Sequence, residues 1–277
     1  MTIELINTLT NTDLPAIAWQ IAQVRAGKSE ALWLATPHED AVHLIKKQGL
    51  LPAQVFDMYA QKYLSDIDET QGIWWTDLPV PDEAQFLIYP DWTKHIVSRG
   101  IERASVRWFN DAQRLAQAVV WVDYAGQVDY KDIYQRDGAL FAKQYFSAGA
   151  LHQSDFYFGK PNVQVRDFYA NGRRDFVYAY DQKYVSAASY LRYVSQRYAK
   201  ASINVTQFDR TLTFVPPQTS FTVIDGVCDD QGRLRPELVD ILTDDAHPIM
   251  TVRVSTSDYQ RLQARGVPLH KVVTITI

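Results

Sequence analysis

The chain has 277 residues, 47% hydrophobic and 22% charged, which excludes collagen, coiled coil and long disorder and suffices for a core without disulfide or metal support. Twenty-eight Lys and Arg against 32 Asp and Glu leave a net charge of −4, the wrong sign for a protein that gains affinity by neutralising phosphates, so no nucleic acid partner is expected. Cys228 is the lone cysteine, the first residues have no basic and apolar leader pattern, and no run of 18 apolar residues occurs, so a soluble, cytoplasmic chain with at most peripheral membrane association is expected.

In chain order, Ile3, Leu5 and Ile6 read as a strand. Asn11, Thr12 and Asp13 offer helix caps, Pro15 suits a first turn, and Ile17, Ile21 and Val24 keep helical spacing up to Gly27. ALWLAT, residues 31–36, reads as a buried strand, and Thr36, Pro37 and Glu39 form a capping box for a helix that Gly49 closes. A third helix is expected over Gln54–Leu64.

From Gln117 to Lys183 the period becomes alternating, and Gly126, Gly138, Gly149, Gly159 and Gly172 punctuate it at intervals of 12, 11, 10 and 13. Each interval is one strand and one turn, which predicts an antiparallel meander of about six strands. Beyond Tyr184 the α/β pattern returns, with a helix over Ser186–Ala201, a strand at Phe221–Ile224 and a helix after Pro236. A strand at Met250–Val254, a helix at Thr256–Ala264 and a strand at Val272–Ile277 follow. The expected fold is an α/β, Rossmann-like layered domain in two pieces, residues 1–70 and 186–277, with an extended antiparallel β-sheet inserted at 71–185.

Catalytic and metal motifs are sparse. Gly27-Lys28-Ser29 ends like a phosphate loop but lacks the earlier glycine, since position 22 is Ala22, and it follows a helix. His38, Glu39 and His43 miss the HExxH spacing. Asp66 and Asp68 form a D-x-D that can hold a divalent ion on a sugar nucleotide, although acidic linker composition explains it equally. No two of the seven glutamates lie eight apart, so an E-x7-E pair is absent. No catalytic residue, metal ligand or cofactor is assigned.

The aromatic residues are unevenly placed: 16 lie in the 69 positions of 117–185 and 19 in the other 208. Tyr145-Phe146, Phe156-Tyr157-Phe158 and Phe168-Tyr169 put rings at consecutive positions, which a strand sends to opposite faces. Half of these rings pointing away from the α/β layer would expose on the order of 1,000 Å² of aromatic area, beyond a normal monomer's patch. A partner protein, a sugar chain or a second copy is expected to cover it; the alternative is that the chain's own helices and the segment Ile73–Phe109 wrap both faces, or that tyrosines lie flat at the rim. Arg136, Lys143, Arg166, Arg173 and Arg174 suit a polar rim.

The segment Val119–Lys143 resembles the sheet insertion of bacterial accessory Sec glycosyltransferases, and more closely their non-catalytic subunit. It carries Trp121 and Asp123, Gly126, then Asp132, Tyr134, Arg136 and Gly138, then Phe141, Ala142 and Lys143; Leu78–Pro81 after Trp74 and Trp75 also fits. The resemblance implies a subunit without chemistry of its own that stabilises an enzyme transferring N-acetylglucosamine to a serine-rich adhesin, and that helps bind this acceptor polypeptide. Relatives continue into a second Rossmann-like domain, whereas this sequence stops at Ile277, either as the amino-terminal half of a longer protein or as a naturally short one. Tyr134, Arg136, Phe141, Lys143, Tyr145, Phe156, Phe158, Phe168 and Tyr169 are the candidate partner- and acceptor-binding residues. The alternatives are a glycosyltransferase acting on protein or wall polymer through Asp66 and Asp68, and a carbohydrate-binding module.

Overall fold

The computed structural model describes residues 2–90 and 92–276. Strand β1 (Thr2–Ile6) is almost wholly buried and begins a mainly parallel sheet. Helix α1 (Pro15–Arg25) follows. Its N-cap is Leu14, which makes no side-chain cap bond, so Pro15 with its pre-set φ starts the helix and Asn11, Thr12 and Asp13 do not. Strand β2 (Ala31–Leu34) is buried along its length and pairs with β1. The expected capping box is not made: Thr36 Oγ1 donates to Asn7 Oδ1 at 3.1 Å, and α2 (Ala41–Lys47) starts beyond it.

The helix expected over Gln54–Leu64 is absent. A 3₁₀ turn at Pro52–Gln54 leads into β3 (Val55–Asp57) and β4 (Lys62–Tyr63). Val55 and Phe56 suit a strand, and pairing β3 with β2 buries them, with Leu32 opposite Val55. Tertiary burial thus overrides a helical spacing.

The second sheet has ten strands: β5 (Ala84–Ile88), β6 (Lys94–Ser98), β7 (Ile101–Phe109), β8 (Ala112–Val122), β9 (Val128–Tyr134), β10 (Leu140–Ser147), β11 (Ala150–Phe156), β12 (Val165–Ala170), β13 (Arg173–Ala179) and β14 (Gln182–Tyr184), of which β8–β14 are the meander expected over 117–183 and β5–β7 extend it upstream. All neighbours are antiparallel and in chain order. Arg99-Gly100, Ala148-Gly149, Asn171-Gly172 and Tyr180-Asp181 take positive φ at both positions, the twist that tight hairpins need. Leu78 in the segment before β5 is buried against Ile96, Ala104, Val106, Val119 and Tyr134, with Trp75 packed beside it.

The chain returns through α3 (Ala187–Tyr198), β15 (Ser202–Val205), β16 (Thr219–Thr222), α4 (Pro236–Thr243), β17 (Ile249–Val254), α5 (Thr256–Ala264) and β18 (Val272–Thr274). Strand β15 was not expected, and the strand expected over Phe221–Ile224 sits two residues earlier as β16. Of the strand expected over Val272–Ile277, Ile277 lies outside the described residues. The first sheet runs β18-β17-β16-β15-β1-β2-β3-β4, so β1 and β15 are central neighbours and the strand order reverses there. This is the expected α/β, Rossmann-like sheet with an inserted antiparallel sheet. In the interior of the first sheet, Glu4 on β1 accepts from Ser29 Oγ at 2.7 Å, Asn204 Nδ2 at 2.8 Å and Gln20 Nε2 at 3.2 Å. Burial raises its pKa, and these bonds act against the rise.

Two compact units result. One comprises residues 1–38, 44–65 and 191–277; the other comprises 39–43 and 66–190.

Candidate functional site

Residues directly opposite each other in an antiparallel ladder share a face, so the register sorts the side chains of the ten-stranded sheet. Lys143 on β10 stands between Asp132 on β9 and Asp155 on β11, and Asp155 stands opposite Arg166 on β12. The pairs close at 2.9 Å for Lys143–Asp132 and 3.2 Å for Arg166–Asp155. Two residues along, Tyr130, Tyr145, Gln153 and Phe168 form a second row on that face. Trp121 extends it on β8, stacked on Tyr130 at 5.6 Å. Phe176 extends it at the other end, stacked on Phe168 at 4.3 Å with Lys183 Nζ 4.5 Å above its ring.

A stripe of rings therefore runs beside a stripe of alternating charges. The rings are half-buried, each shielded by a neighbour or a cation, so this face offers a narrower aromatic area than the sequence suggests. Burial raises the pKa of Tyr130, with Asp132 adding to it, and likewise that of Tyr145, with Asp155 adding to it. Burial pulls Lys143 down, but its bond and charge pairing with Asp132 outweigh this and leave it raised.

The opposite face differs. Ile133, Ala142, Phe156, Val165 and Ala179 form its apolar row, with the last four buried. The consecutive rings are resolved by local irregularities. Phe158 takes φ +52 and turns back to stack on Phe156 at 5.6 Å, while Phe141, at a register shift of β10, meets both edge-on. Phe168 joins the open stripe. Tyr169 receives hydrogen bonds on its hydroxyl from Ser154 Oγ at 3.4 Å and Arg174 Nε at 3.3 Å, beside fully buried Asp167.

The nine sequence candidates therefore separate. Lys143, Tyr145 and Phe168 lie on the open stripe, and Tyr169 is half-buried on the other side. Tyr134, Arg136, Phe141, Phe156 and Phe158 are buried. Arg136 donates from Nε to Asp40 Oδ1 at 2.5 Å, and from its Nη2 to Asp40 Oδ2 at 3.0 Å and to Asp111 Oδ1 at 2.6 Å. Burial alone would lower its pKa, but the two carboxylates raise it. His43 spans Glu69 at 2.6 Å and Asp111 at 2.8 Å in the same cluster. Two residues on, a β-carbon at Gly138 would stand 2.9 Å from Ile73 Cγ1. Tyr134, Arg136 and Gly138 of the motif thus hold the sheet to segments that precede it, while Asp132 bonds within the sheet to Lys143 and Trp121. Trp121, Tyr130, Gln153, Arg166 and Phe176 also belong to the open face; the sequence marked Arg166 only as a rim residue and Trp121 only as part of the motif, and none of the five as a contact, though counting the register outward from the Asp137-Gly138 and Ala148-Gly149 turns would have found several.

The other motifs sit elsewhere. Ser29 of the Gly-Lys-Ser triplet is buried on Glu4. Asp68 accepts from both the backbone and the hydroxyl of Thr70, at 3.0 and 2.6 Å, which lowers its pKa. Asp66 accepts from the Ile67 amide at 3.0 Å. Among the described residues no group of three His, Cys, Asp or Glu is placed to hold a metal ion, and no helix is long and apolar enough to cross a membrane. Open α/β sheets take ligands where the strand order reverses. Beyond β1 and β15 that crevice is bridged by Arg210, which donates to Asn7 Oδ1 and Thr36 Oγ1 at 2.7 Å each and to the Ala35 carbonyl at 3.3 Å.

The open face lies wholly within a segment that known proteins share. Residues 92–184 match the GtfB middle domain family. The resemblance carried by Val119–Lys143 is borne out by that match. Nothing among curated protein sequences matches the chain. Solved structures match the whole of it as a fold. The pneumococcal O-GlcNAc transferase GtfA in complex with UDP and GlcNAc superposes with a TM-score of 0.75 at 14% identity, over 100% of this chain and 60% of that one. The accessory secretory protein 1, 2 and 3 structure from Streptococcus pneumoniae gives 0.71 at 14% identity, over 100% and 62%. The Gap123 complex from Streptococcus agalactiae gives 0.71 at 12% identity, over 99% and 60%. This chain thus spans 60 to 62% of the length of these neighbours, and the segment that matches the GtfB middle domain family lies within its second unit.

Proposed function

We propose that this chain is the non-catalytic subunit of a cytoplasmic glycosyltransferase assembly of the accessory Sec type, whose sheet docks the catalytic subunit and helps hold a serine-rich adhesin acceptor. The observation that carries this reading is the open stripe from Trp121 to Phe176 beside the Asp132–Lys143, Asp155–Arg166 row. Paired charges and half-buried rings in register suit a protein surface, where stacked aromatics give contact area and paired charges fix alignment. A standard interface needs roughly 800 Å² per partner. The matches to the GtfB middle domain and to structures of a GtfA/B complex and a Gap123 complex support an accessory role. Lys143, Tyr145 and Phe168 are the proposed contact residues, with Tyr169 at the margin.

The test is co-purification with the catalytic glycosyltransferase, wild type against Tyr145→Ala and Phe168→Ala. Complex formation that is unchanged in both folded variants refutes the docking assignment. The rival reading, an enzyme holding a sugar nucleotide through Asp66 and Asp68, is tested by calorimetry with a sugar nucleotide and manganese, and heat of binding that disappears in Asp68→Asn supports it.

A further inference from the structure

The two sheets end in four edge strands, β4 and β18 in the first and β5 and β14 in the second. An unpaired edge is a template for another strand, and proteins guard it by keeping it short or by placing a lysine on it. Strand β4 has two residues and β14 has three, with Lys62 and Lys183 on them, and β18 has three. Strand β5 has five, and the run Ala84–Tyr89 contains no charged residue. Leu87 is 40% exposed on it and Ile88 50%. Of the four edges, β5 is therefore the one left without a guard.

The ladder shows which of its main-chain groups face outward. The Tyr89 amide donates to the Thr93 carbonyl at 2.9 Å, in the same register that sets Ile88 opposite Lys94 and Leu87 opposite His95. Bonded and non-bonded pairs alternate in an antiparallel ladder, so Leu87 and Gln85 bond to β6, while Ile88, Phe86 and Ala84 turn their main-chain groups to the open side. The Ala84 amide is taken by the Pro81 carbonyl at 3.1 Å. Among the described residues, the amides of Phe86 and Ile88 and the carbonyls of Ala84, Phe86 and Ile88 thus face outward with no strand beside them.

We propose that β5 pairs antiparallel with β5 of a second copy about a two-fold axis, joining two ten-stranded sheets into one. With the axis at Phe86 or at Leu87, both outward amides of each copy meet outward carbonyls of the other, four bonds in all. No like charges oppose each other, because the strand carries none. A single foreign strand would satisfy this edge and present a new one, whereas the two-fold pair closes both edges at once and stops at a dimer. One strand edge covers less than the roughly 800 Å² per partner of a standard interface, so the dimer is a weak one. The open stripe begins at Trp121 on β8, so this contact does not use it and does not rest on the docking function.

Sedimentation velocity of the full chain from about 10 μM to about 1 mM tests it, with amide hydrogen exchange measured at both ends of that range. The chain passes from monomer to dimer, and exchange at the Phe86 and Ile88 amides slows with concentration, while the Leu87 amide, already bonded to β6, is unchanged. Ile88→Pro removes an outward donor without touching the β6 ladder, and Leu87→Lys supplies the lysine that β4 and β14 carry; each raises the dimer's Kd at least tenfold while circular dichroism stays that of the wild type. A chain that remains monomeric throughout overturns the proposal, as does a dimer that both variants form as tightly as wild type. Exchange at Phe86 and Ile88 that ignores protein concentration and slows only on adding a synthetic serine-rich peptide overturns it as well.

Discussion

Asp132 on β9 uses one carboxylate oxygen for Lys143 Nζ on β10 and the other for the indole N–H of Trp121 on β8, each at 2.9 Å. One side chain thus ties three consecutive strands at the point where the ring stripe and the charge stripe meet. Its own side chain is 10% exposed, so its charge depends on these two partners.

Lys143→Met therefore destabilises the protein more than a surface substitution does, by about 1–3 kcal/mol, because a mostly buried carboxylate loses its cation. The folded-state pKa of Lys143 lies above the ordinary 10.5. Its contribution is complete below that value and is lost as the pH climbs through the raised one. Urea unfolding from pH 8 to 11.5 checks this: the difference between wild type and variant shrinks at the alkaline end.

Asp57 gives a second pH effect of known sign. Burial pushes its pKa from 3.8 to about 6, although the amides of Ala60 and Tyr59 favour the charged form. The folded state then holds the proton more tightly, so stability falls as pH rises from about 4 to about 6, by roughly 3 kcal/mol at 1.36 kcal/mol per unit. Asp57→Asn keeps an oxygen for the Ala60 amide and removes this component. Melting temperatures across pH 4–7 fall less steeply in the variant than in wild type, where Glu4 adds a slope of the same sign.

Gly72→Ala and Gly138→Ala both unseat the segment that leads into the sheet. A β-carbon at Gly72 would lie 2.3 Å from the Arg136 carbonyl oxygen, and one at Gly138 would lie 3.2 Å from the Ile73 amide nitrogen at φ +83. Backbone cannot yield as a flexible side chain does, so each costs about 2–4 kcal/mol. Because Trp74 and Trp75 adjoin Ile73, the loss should register as a red-shifted tryptophan emission as well as a lower melting temperature.

Arg136→Met takes the two-bond guanidinium partner from mostly buried Asp40 and leaves Asp111 to His43, and breaking such a buried Arg136–Asp40 pair costs about 3–5 kcal/mol. Arg136→Lys rescues only part of this, since an ammonium cannot hold Asp40 through two parallel bonds. Chemical denaturation of the three proteins gives the ranking wild type, Lys, Met.

Phe156→Ala and Phe168→Ala separate packing from docking. Phe156 is 5% exposed and stacked on Phe158, so its truncation costs about 3–5 kcal/mol of stability. Phe168 is half-buried on the open face, so its truncation leaves the melting temperature closer to wild type and weakens partner capture instead. The reverse pattern would remove Phe168 from the proposed interface.

Much of the fold was legible because its signals are local. The helix expected over Thr256–Ala264 forms over those residues, and the structure adds Ser255 as its cap, accepting from the Asp258 amide. Hairpins at Ala148-Gly149 and Asn171-Gly172 were visible for the same reason, the turn chemistry being written in adjacent residues. The β5–β6 hairpin was missed because its turn uses Trp92 at positive φ, a residue type that does not announce a turn. Val55–Asp57 was misread as helix because what makes it a strand is Leu32 and its neighbours, far away in sequence.

By itself the sequence determined the α/β layering, the antiparallel insertion and the concentration of rings within it, since periodicity, glycine spacing and composition are properties of adjacent residues. Only the tertiary structure decided which rings face outward and which of the motif residues are interior. Those outcomes depend on strand register and on one-residue bulges, and a one-residue slip sends every following side chain to the other face.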